Sequence, residues 1–504
     1  MAAMTAGRTA PQIGGRPGVD DRLTDRSLRV EQAWLDGRWV AADDGAVREV
    51  ADPADGSRIG AVPALGEAET VRAIAAAAAA WPAWRARTAR DRGRLLQRWA
   101  ELMADHREDL AILMTAEQGK PLAEARGEID YAASFLEWFA EEGRRAYGET
   151  VPTHLSDRRI LVTREPIGVT AAVTPWNFPS AMITRKAGAA LAAGCPMIVR
   201  PATDTPYSAL SLAVLAERAG IPGGAFQVLT GDPEPIVGTL TASPAVRAIS
   251  FTGSTEIGRR LIRASADTVK RVEMELGGHA PVIVRADADL DRAVADAVAT
   301  KFQTTGQDCL AANRILVARP LYDAFCRRFA EAAAALVVGD GFDPASDLGP
   351  LMNAAAVEKC RRHVEDAVAK GARLLVGGTA PAHGTLFPAT VLADMGPDMA
   401  IWREETFGPV AAIRSIADDA EALHLANDSD YGLAAYVFGR DLSAVWRLAE
   451  GLEYGMVAIN TAKFTGAPVP FGGMKQSGLG REGGRQGLDA FLETKYVCLG
   501  GIDA

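Results

Sequence analysis

The sequence predicts an α/β fold built from two parallel-sheet βα lobes, and three observations carry that expectation. Short apolar strands alternate with helix-length stretches from Val169 to Phe251, the pattern of βα units that assemble a parallel sheet flanked by helices. A second series of the same kind begins at Val282 to Val284. Between them stands the pair Gly277-Gly278, directly after a carboxylate-bearing stretch, and the change of lobe is placed there as a hinge. At 504 residues the chain exceeds what one hydrophobic core usually organises, so two or three domains are expected.

Taken in order, the first 28 residues are rich in Gly, Pro, Arg and Asp and lack an apolar h-region. They read as a disordered arm rather than a secretory signal, and Asp20, Asp21 and Asp25 argue against a transit peptide. From Ala33 to Pro63, short apolar pieces broken by Asp36-Gly37, Asp52-Pro53 and Asp55-Gly56 suit hairpin strands. Helical periodicity follows over Glu67 to Ala78, Arg90 to Gln118 and Leu122 to Glu142, with Gly119-Lys120-Pro121 as punctuation between the last two. Arg159 to Thr163 alternates as a strand.

The first βα series then comprises strand Val169 to Val173, helix Ala181 to Ala193, strand Met197 to Arg200, helix Ser208 to Ala219, strand Ala225 to Leu229 and a strand before Phe251. The second comprises strands at Val282 to Val284, Ile315 to Val317, Arg373 to Val376 and Val410 to Ile413, with helices Leu290 to Lys301, Tyr322 to Leu336 and Ala355 to Lys370. The tail, Tyr496 to Leu499, reads as a strand with little local partner, which suits an inter-subunit element.

Composition excludes several classes of function. A formal net charge of -10, with both signs interspersed, disfavours a nucleic-acid partner. No apolar stretch approaches the roughly 20 residues of a membrane span, and the run Ala75 to Ala80 belongs to a helix. The five cysteines are scattered and odd in number, which argues against a disulfide framework and for a reducing, cytoplasmic compartment. No metal ligand is assigned.

Chemistry is announced by Phe302-Gln303-Thr304-Thr305-Gly306-Gln307-Asp308-Cys309, where a glycine-led turn delivers a thiol. Cys309 is the candidate nucleophile, active as its thiolate; the plain alternative is a small buried hydrophobe. Glu273-Met274-Glu275-Leu276-Gly277-Gly278 offers a carboxylate before the glycine pair. Thr174-Pro175-Trp176-Asn177-Phe178-Pro179 offers an amide in a Pro-bracketed turn, and Glu404-Glu405-Thr406-Phe407-Gly408-Pro409 another carboxylate. No Gly-x-Gly-x-x-Gly fingerprint follows any strand. Gly253-Ser254-Thr255-Glu256-Ile257-Gly258 instead opens a helix whose backbone N–H groups would favour a phosphate, or which is an ordinary cap.

In order and spacing these motifs, with Phe251-Thr252-Gly253-Ser254 and Pro470-Phe471-Gly472-Gly473-Met474-Lys475, resemble the aldehyde dehydrogenase superfamily from about Trp34 to the C-terminus. The resemblance implies a Rossmann-like cofactor-binding domain over 29–147 and 167–276 and a catalytic domain over 277–483. It also implies a small β oligomerisation element over 148–166 and 484–504, and a homodimer or homotetramer. Cys309 would attack an aldehyde, and the Asn177 amide with the Cys309 N–H would stabilise the oxyanion. NAD or NADP would accept hydride, and Glu275 would be the base that drives hydrolysis of the thioester. Glu275 separates this chain from relatives that pass the acyl group to coenzyme A.

The same resemblance places Glu405 at the nicotinamide ribose, Phe407 beside the ring and Lys186, also a candidate catalytic residue, at the adenosine ribose. Ser254 and Trp176 would line the pyrophosphate and adenine path, and Thr174, Gly253 and Gly277 would also border the cofactor. Simpler readings are a solvated helix charge for Lys186, a surface acid for Glu405, core packing for Phe407 and a local turn bond for Asn177. Where most members read Lys-Pro-x-Glu, this chain has Arg200-Pro201-Ala202-Thr203. A Glu there would repel a 2′-phosphate, whereas Arg200 and Thr203 accommodate one, so NADP, or use of both cofactors, is favoured over NAD alone. Asp308 is a second departure, since its charge opposes thiolate formation unless it points away.

Pro179 to Lys186, Phe135 to Phe139 and Ser477 to Gly483 look most like the succinate-semialdehyde dehydrogenase branch. There Arg185 would pair with the substrate's far carboxylate, or it is a surface Arg. Phe178, Tyr131, Thr465 and Phe471 would complete the aldehyde side. The branch's second Arg is Gln303 here, for which Lys463 could substitute, and its second active-site Cys is Ala311. A general aliphatic or aromatic aldehyde dehydrogenase is the alternative, and a catalytically silent protein on the same fold a more distant one.

Overall fold

The computed structural model describes residues 8–9, 18–379 and 384–502, and two large sheets organise it. The first has eight strands, in the order Gly478–Leu479, Arg271–Glu275, Val246–Thr252, Val169–Val173, Met197–Arg200, Phe226–Val228, Ala33–Leu35 and Arg38–Val40. Its five central strands run parallel, as the βα alternation requires. The second has seven, in the order Arg373–Val376, Thr390–Ala393, Val410–Ile416, Ala312–Ala318, Ala280–Val284, Ala434–Phe438 and Met456–Ile459, all parallel except the first pair.

The chain changes sheet between Glu275 and Ala280, across the glycine pair. The glycines serve close approach rather than an unusual backbone. A Cβ on Gly278 would lie 2.1 Å from the Cys309 carbonyl oxygen, and one on Gly277 would lie 3.0 Å from Glu405 Oε2. Gly478–Leu479 returns to the first sheet beside Arg271–Glu275, so the second lobe's last segment closes over the first.

Helix Ala181–Ala193 is buried along its whole length. Seven of its thirteen residues are Ala or Gly, small enough to sit between the first sheet and helix Leu122–Glu142; Gly188 rests against Phe139 and Leu136. That helix carries the candidate residues Arg185 and Lys186 into the interior, so neither is a surface charge.

Three expectations need correction. Residues 18–28, read as part of a disordered arm, are folded: Val19–Arg22 is helical and Leu23 and Leu28 are buried. The Asp109 carboxylate accepts the N–H groups of Thr24 and Asp25 at 2.8 and 2.9 Å. Arg8–Thr9 pairs with Val337–Val338; the remainder of the first 17 residues lies outside the described residues. The tail strand has a local partner, since Leu492–Leu499 runs antiparallel along all of Arg159–Pro166, with Glu149–Val151 on the far side. Strand Arg271–Glu275 escaped the sequence reading because two of its buried side chains, Glu273 and Glu275, are carboxylates that mask its apolar signal.

Candidate active site

Helix Leu290–Phe302 ends in a turn that presents Cys309. In that turn Thr304 and Thr305 both adopt left-handed backbone, φ 49° and 57°, a costly conformation for β-branched residues that persists only when surroundings impose it. The surroundings are specific. Glu124 accepts the Thr304 N–H at 3.0 Å, and the Thr305 hydroxyl donates to the Gly349 carbonyl at 3.0 Å. Gly306 passes under the Gly408 carbonyl, where a Cβ would lie at 2.3 Å. The Gln307 side chain accepts from Met352 N at 2.9 Å. The thiol is thereby delivered by a strained loop clamped on several sides.

Asn177 faces this loop from the first lobe. It is buried, and its amide donates to the Gln307 carbonyl at 3.0 Å, two residues before Cys309. Glu275 ends strand Arg271–Glu275 with both carboxylate oxygens buried and without a hydrogen-bond partner. Burial first, and then the nearby Glu482 carboxylate, push the Glu275 carboxyl well above its usual range, while Arg185 and Lys186 oppose them.

The Cys309 thiol is itself pushed well above its ordinary value, by burial and next by Asp308, with Arg185 working the other way. Asp308 does not point away. It shares a cavity wall with Cys309, its Oδ1 accepts from Leu310 N at 2.9 Å, and burial raises its carboxyl.

That cavity, about 540 Å³, brings together all seven residues read from sequence as substrate contacts. Its size lies within the roughly 300–1,000 Å³ of small-molecule sites. Arg185, Phe471, Tyr131 and Phe178 are its more buried members; Gln303, Lys463 and Thr465 are exposed. The Arg185 guanidinium lies 4.1 Å from the centre of the Phe471 ring and 2.6 Å, through Nε, from Glu482 Oε2. The Tyr131 phenol is a further hydrogen-bonding neighbour of this buried guanidinium.

The residues assigned to the cofactor fall into two groups. Trp176 and Phe407 meet edge to face at 5.6 Å, with Phe407 held at φ 56°. Glu405 accepts from Gly278 N at 2.9 Å, and burial pushes its carboxyl up to about 7. Further along the first sheet, Arg200 donates to the Thr203 hydroxyl at 2.6 Å and the Gly231 carbonyl at 2.8 Å, and burial lowers it to about 10. The Ser254 hydroxyl accepts from Ile257 N at the start of helix Thr255–Ser265, which leaves its O–H and the helix's other first-turn N–H groups for a phosphate, while Gly253 N donates to the Glu275 carbonyl. The Thr174 hydroxyl is buried without a partner. This donor and acceptor set suits a dinucleotide: a carboxylate for ribose hydroxyls, an aromatic edge, a helix start and a basic end.

Lys186 is the residue whose placement departs from expectation. Its ammonium pairs with Glu482 and donates to the Thr252 hydroxyl at 2.8 Å, fully buried. It is committed to a buried carboxylate rather than extended to an adenosine ribose. The reason is electrostatic: Glu482, against the burial that would raise it, is held below its usual value by Lys186 and Arg185.

A model of the aldehyde dehydrogenase family matches residues 39–497. The chain belongs to the aldehyde dehydrogenase family. It is 54% identical over 482 residues to a glutarate-semialdehyde dehydrogenase of Pseudomonas aeruginosa, covering 95% of this chain and 100% of that one. It is 52% identical over 480 residues to the NADP(+) succinate-semialdehyde dehydrogenase GabD of Escherichia coli, covering 95% and 100%. The crystal structure of a succinate-semialdehyde dehydrogenase from Burkholderia pseudomallei superposes with a TM-score of 0.94 at 53% identity, covering 95% and 99%.

Several residues that shape the site of this aldehyde dehydrogenase were not singled out from sequence. Glu482 lies within the quoted Ser477 to Gly483 stretch, yet nothing local marks it as the shared partner of Arg185 and Lys186. Lys120 was read as turn punctuation. Glu124 and Glu128 follow it at helical spacing on an otherwise apolar face, with Ile129 and Ala132 beside them, and carboxylates on such a face were the available signal.

Proposed function

We propose that this aldehyde dehydrogenase oxidises an ω-carboxy aldehyde, succinate semialdehyde first, to the corresponding dicarboxylic acid by hydrolysis of a Cys309 thioester. NADP is preferred to NAD. One observation carries the substrate reading: the Arg185 guanidinium is buried in the wall of the cavity that holds Cys309, beside the Tyr131 phenol. A carboxylate at the far end of an aldehyde in that cavity would meet a buried cation and take charge-assisted hydrogen bonds from it.

The chain's own residues carry the remaining steps. The Cys309 thiolate adds to the aldehyde carbon, and the resulting oxygen anion takes hydrogen bonds from the Asn177 amide and the Cys309 N–H, each such donor contributing about 3 to 4 kcal/mol. A bound nicotinamide dinucleotide supplies the hydride acceptor. Glu405, Phe407, Trp176 and Thr174 would hold its nicotinamide half, and Arg200 and Thr203 its adenosine half. Glu275 takes a proton from water as that water attacks the thioester, and the thiolate leaves with the C–S bond. A carboxylate raised by burial is a stronger base for that task.

NADP is supported by Thr203, which brings no charge against a 2′-phosphate, and by its neighbour Arg200. A homodimer or homotetramer is supported by the three-stranded sheet, whose outer strand Leu492–Leu499 exposes Tyr496 and Leu499. Five free cysteines support a reducing, cytoplasmic setting. Among the described residues no helix is long and apolar enough to cross a membrane.

Steady-state rates across four- and five-carbon semialdehydes and neutral aldehydes, with both cofactors, test the proposal. Succinate or glutarate semialdehyde should lead by kcat/KM. Equal or better turnover of neutral aldehydes rejects the carboxylate reading and favours a general aldehyde dehydrogenase, the alternative that Gln303 and the adjacent Asp308 support.

A further inference from the structure

The turn that bears Asn177 is held by a buried charge pair in the wall of the Cys309 cavity. Lys120 precedes helix Leu122–Glu142 and is 2% exposed. Its Nζ donates to Glu128 Oε2 at 2.6 Å and to the Asn177 backbone carbonyl at 2.7 Å, and it stands 4.3 Å from the centre of the Phe178 ring. Glu128, 4% exposed, turns its other oxygen to the N–H groups of Ser180 at 2.9 Å and Ala181 at 3.2 Å. These are N–H groups at the start of helix Ala181–Ala193, which have no partner within that helix. One ion pair therefore grips the segment at Asn177 O, Ser180 N and Ala181 N.

Burying both charges is unfavourable relative to an apolar pair of the same size. The contacts that offset this cost go to the backbone of Asn177 itself and of Ser180 and Ala181 just after it, not to distant parts of the fold. A preorganised donor acts only when it already sits where negative charge will develop, so its backbone must not relax. The Pro175 and Pro179 bracket restricts the turn's torsions, but it leaves the placement of the Asn177 peptide group to the contact with Lys120.

We infer that Lys120, held by Glu128, is a positioning residue for the reaction: it fixes the Asn177 turn so that the side-chain amide meets the oxygen of the Cys309 adduct. The inference rests on the reading of Asn177 as the oxyanion donor. Lys120 also lines the cavity that holds Cys309, and in this inference its effect comes from its hold on the Asn177 carbonyl.

A double-mutant cycle with Lys120→Met and Asn177→Ala in the full-length enzyme tests it, read by kcat, by KM for the aldehyde, by cofactor Kd from fluorescence and by thermal unfolding. Lys120→Met lowers kcat about 10- to 100-fold with KM and cofactor Kd within about threefold. In the Asn177→Ala background it lowers kcat by no more than about threefold further. A Lys120→Met enzyme that keeps its kcat within twofold overturns the inference, as does a loss that multiplies with that of Asn177→Ala. Should the single substitution prevent folding, Lys120→Met/Glu128→Gln removes both charges and keeps an oxygen for Ser180 and Ala181. The double variant is held to the same expectation. An Asn177→Ala enzyme with undiminished kcat refutes the oxyanion reading and the inference with it, a result distinct from the failure of Lys120 alone.

Discussion

Arg185→Met separates recognition of the substrate's charged end from everything else the site does. The guanidinium is 1% exposed, ion-paired with Glu482 through Nε, and lines the cavity that holds Cys309. A hydrogen bond to a charged group contributes about 1.5 to 3 kcal/mol. At about 1.4 kcal/mol per tenfold in rate, the loss for succinate semialdehyde is roughly 10- to 150-fold in kcat/KM. The substitution also removes a partner of Glu482, leaving that carboxylate to Lys186, and this disturbance reaches Glu275 and Cys309 whatever the substrate. The informative quantity is therefore a ratio. Initial rates of NADPH formation with succinate semialdehyde and with butanal, which has a methyl group where the semialdehyde has its carboxylate, give two kcat/KM values whose quotient cancels the shared damage. That quotient should fall about 10- to 150-fold in Arg185→Met and less in Arg185→Lys, which keeps the charge but not the planar fork. A quotient within about threefold of the parent enzyme's would show that Arg185 does not bind the carboxylate.

Glu275→Gln should retain a rapid burst of about one NADPH per site and lose steady turnover by more than about 100-fold, because acylation survives while water is no longer deprotonated; stopped-flow absorbance decides, and undiminished turnover excludes the assigned base. Burial and Asp308 both raise the Cys309 thiol, and the thiolate is the active form, so kcat/KM should climb with pH through the neutral range. Asp308→Asn removes the raising carboxylate, which moves that acidic limb to lower pH; a pH profile superposable on the parent's contradicts the electrostatic assignment. Thr203→Glu places a carboxylate against a 2′-phosphate and should weaken NADP binding by more than about tenfold while sparing NAD, measured by calorimetric titration without aldehyde. Gly278→Ala puts a Cβ 2.1 Å from the Cys309 carbonyl oxygen, closer than any real contact allows; activity should collapse, and an active, normally folded Gly278→Ala enzyme would refute the close packing of strand and nucleophile loop.

Much of the scaffold is local in origin and could be read along the chain. Helices Ala181–Ala193 and Leu122–Glu142 and strands Val169–Val173, Met197–Arg200 and Arg373–Val376 begin and end where their apolar patterns and glycine or proline boundaries place them. Strand Arg271–Glu275 is hidden because it carries the buried carboxylates of Glu273 and Glu275 where a core strand ordinarily carries Val or Ile. The folding of Leu23 and Leu28 against the first lobe was hidden because the acceptor for that segment is Asp109, more than eighty residues away.

The same division runs through the site. The chemical cast was set by residue type and order: a thiol after Gly306, an amide between two prolines, a carboxylate before two glycines. The electrostatic state of that cast belongs to the tertiary structure alone. Whether Lys186 reaches outward or closes on Glu482, and whether Lys120 is a turn residue or the brace of the Asn177 turn, depend on charges brought together from segments tens to hundreds of residues apart, while whether Asp308 faces its neighbour Cys309 depends on how surrounding elements fold their loop. Coulomb energy depends on spatial separation and on exclusion of water, and neither quantity is written in the spacing of residues along a chain.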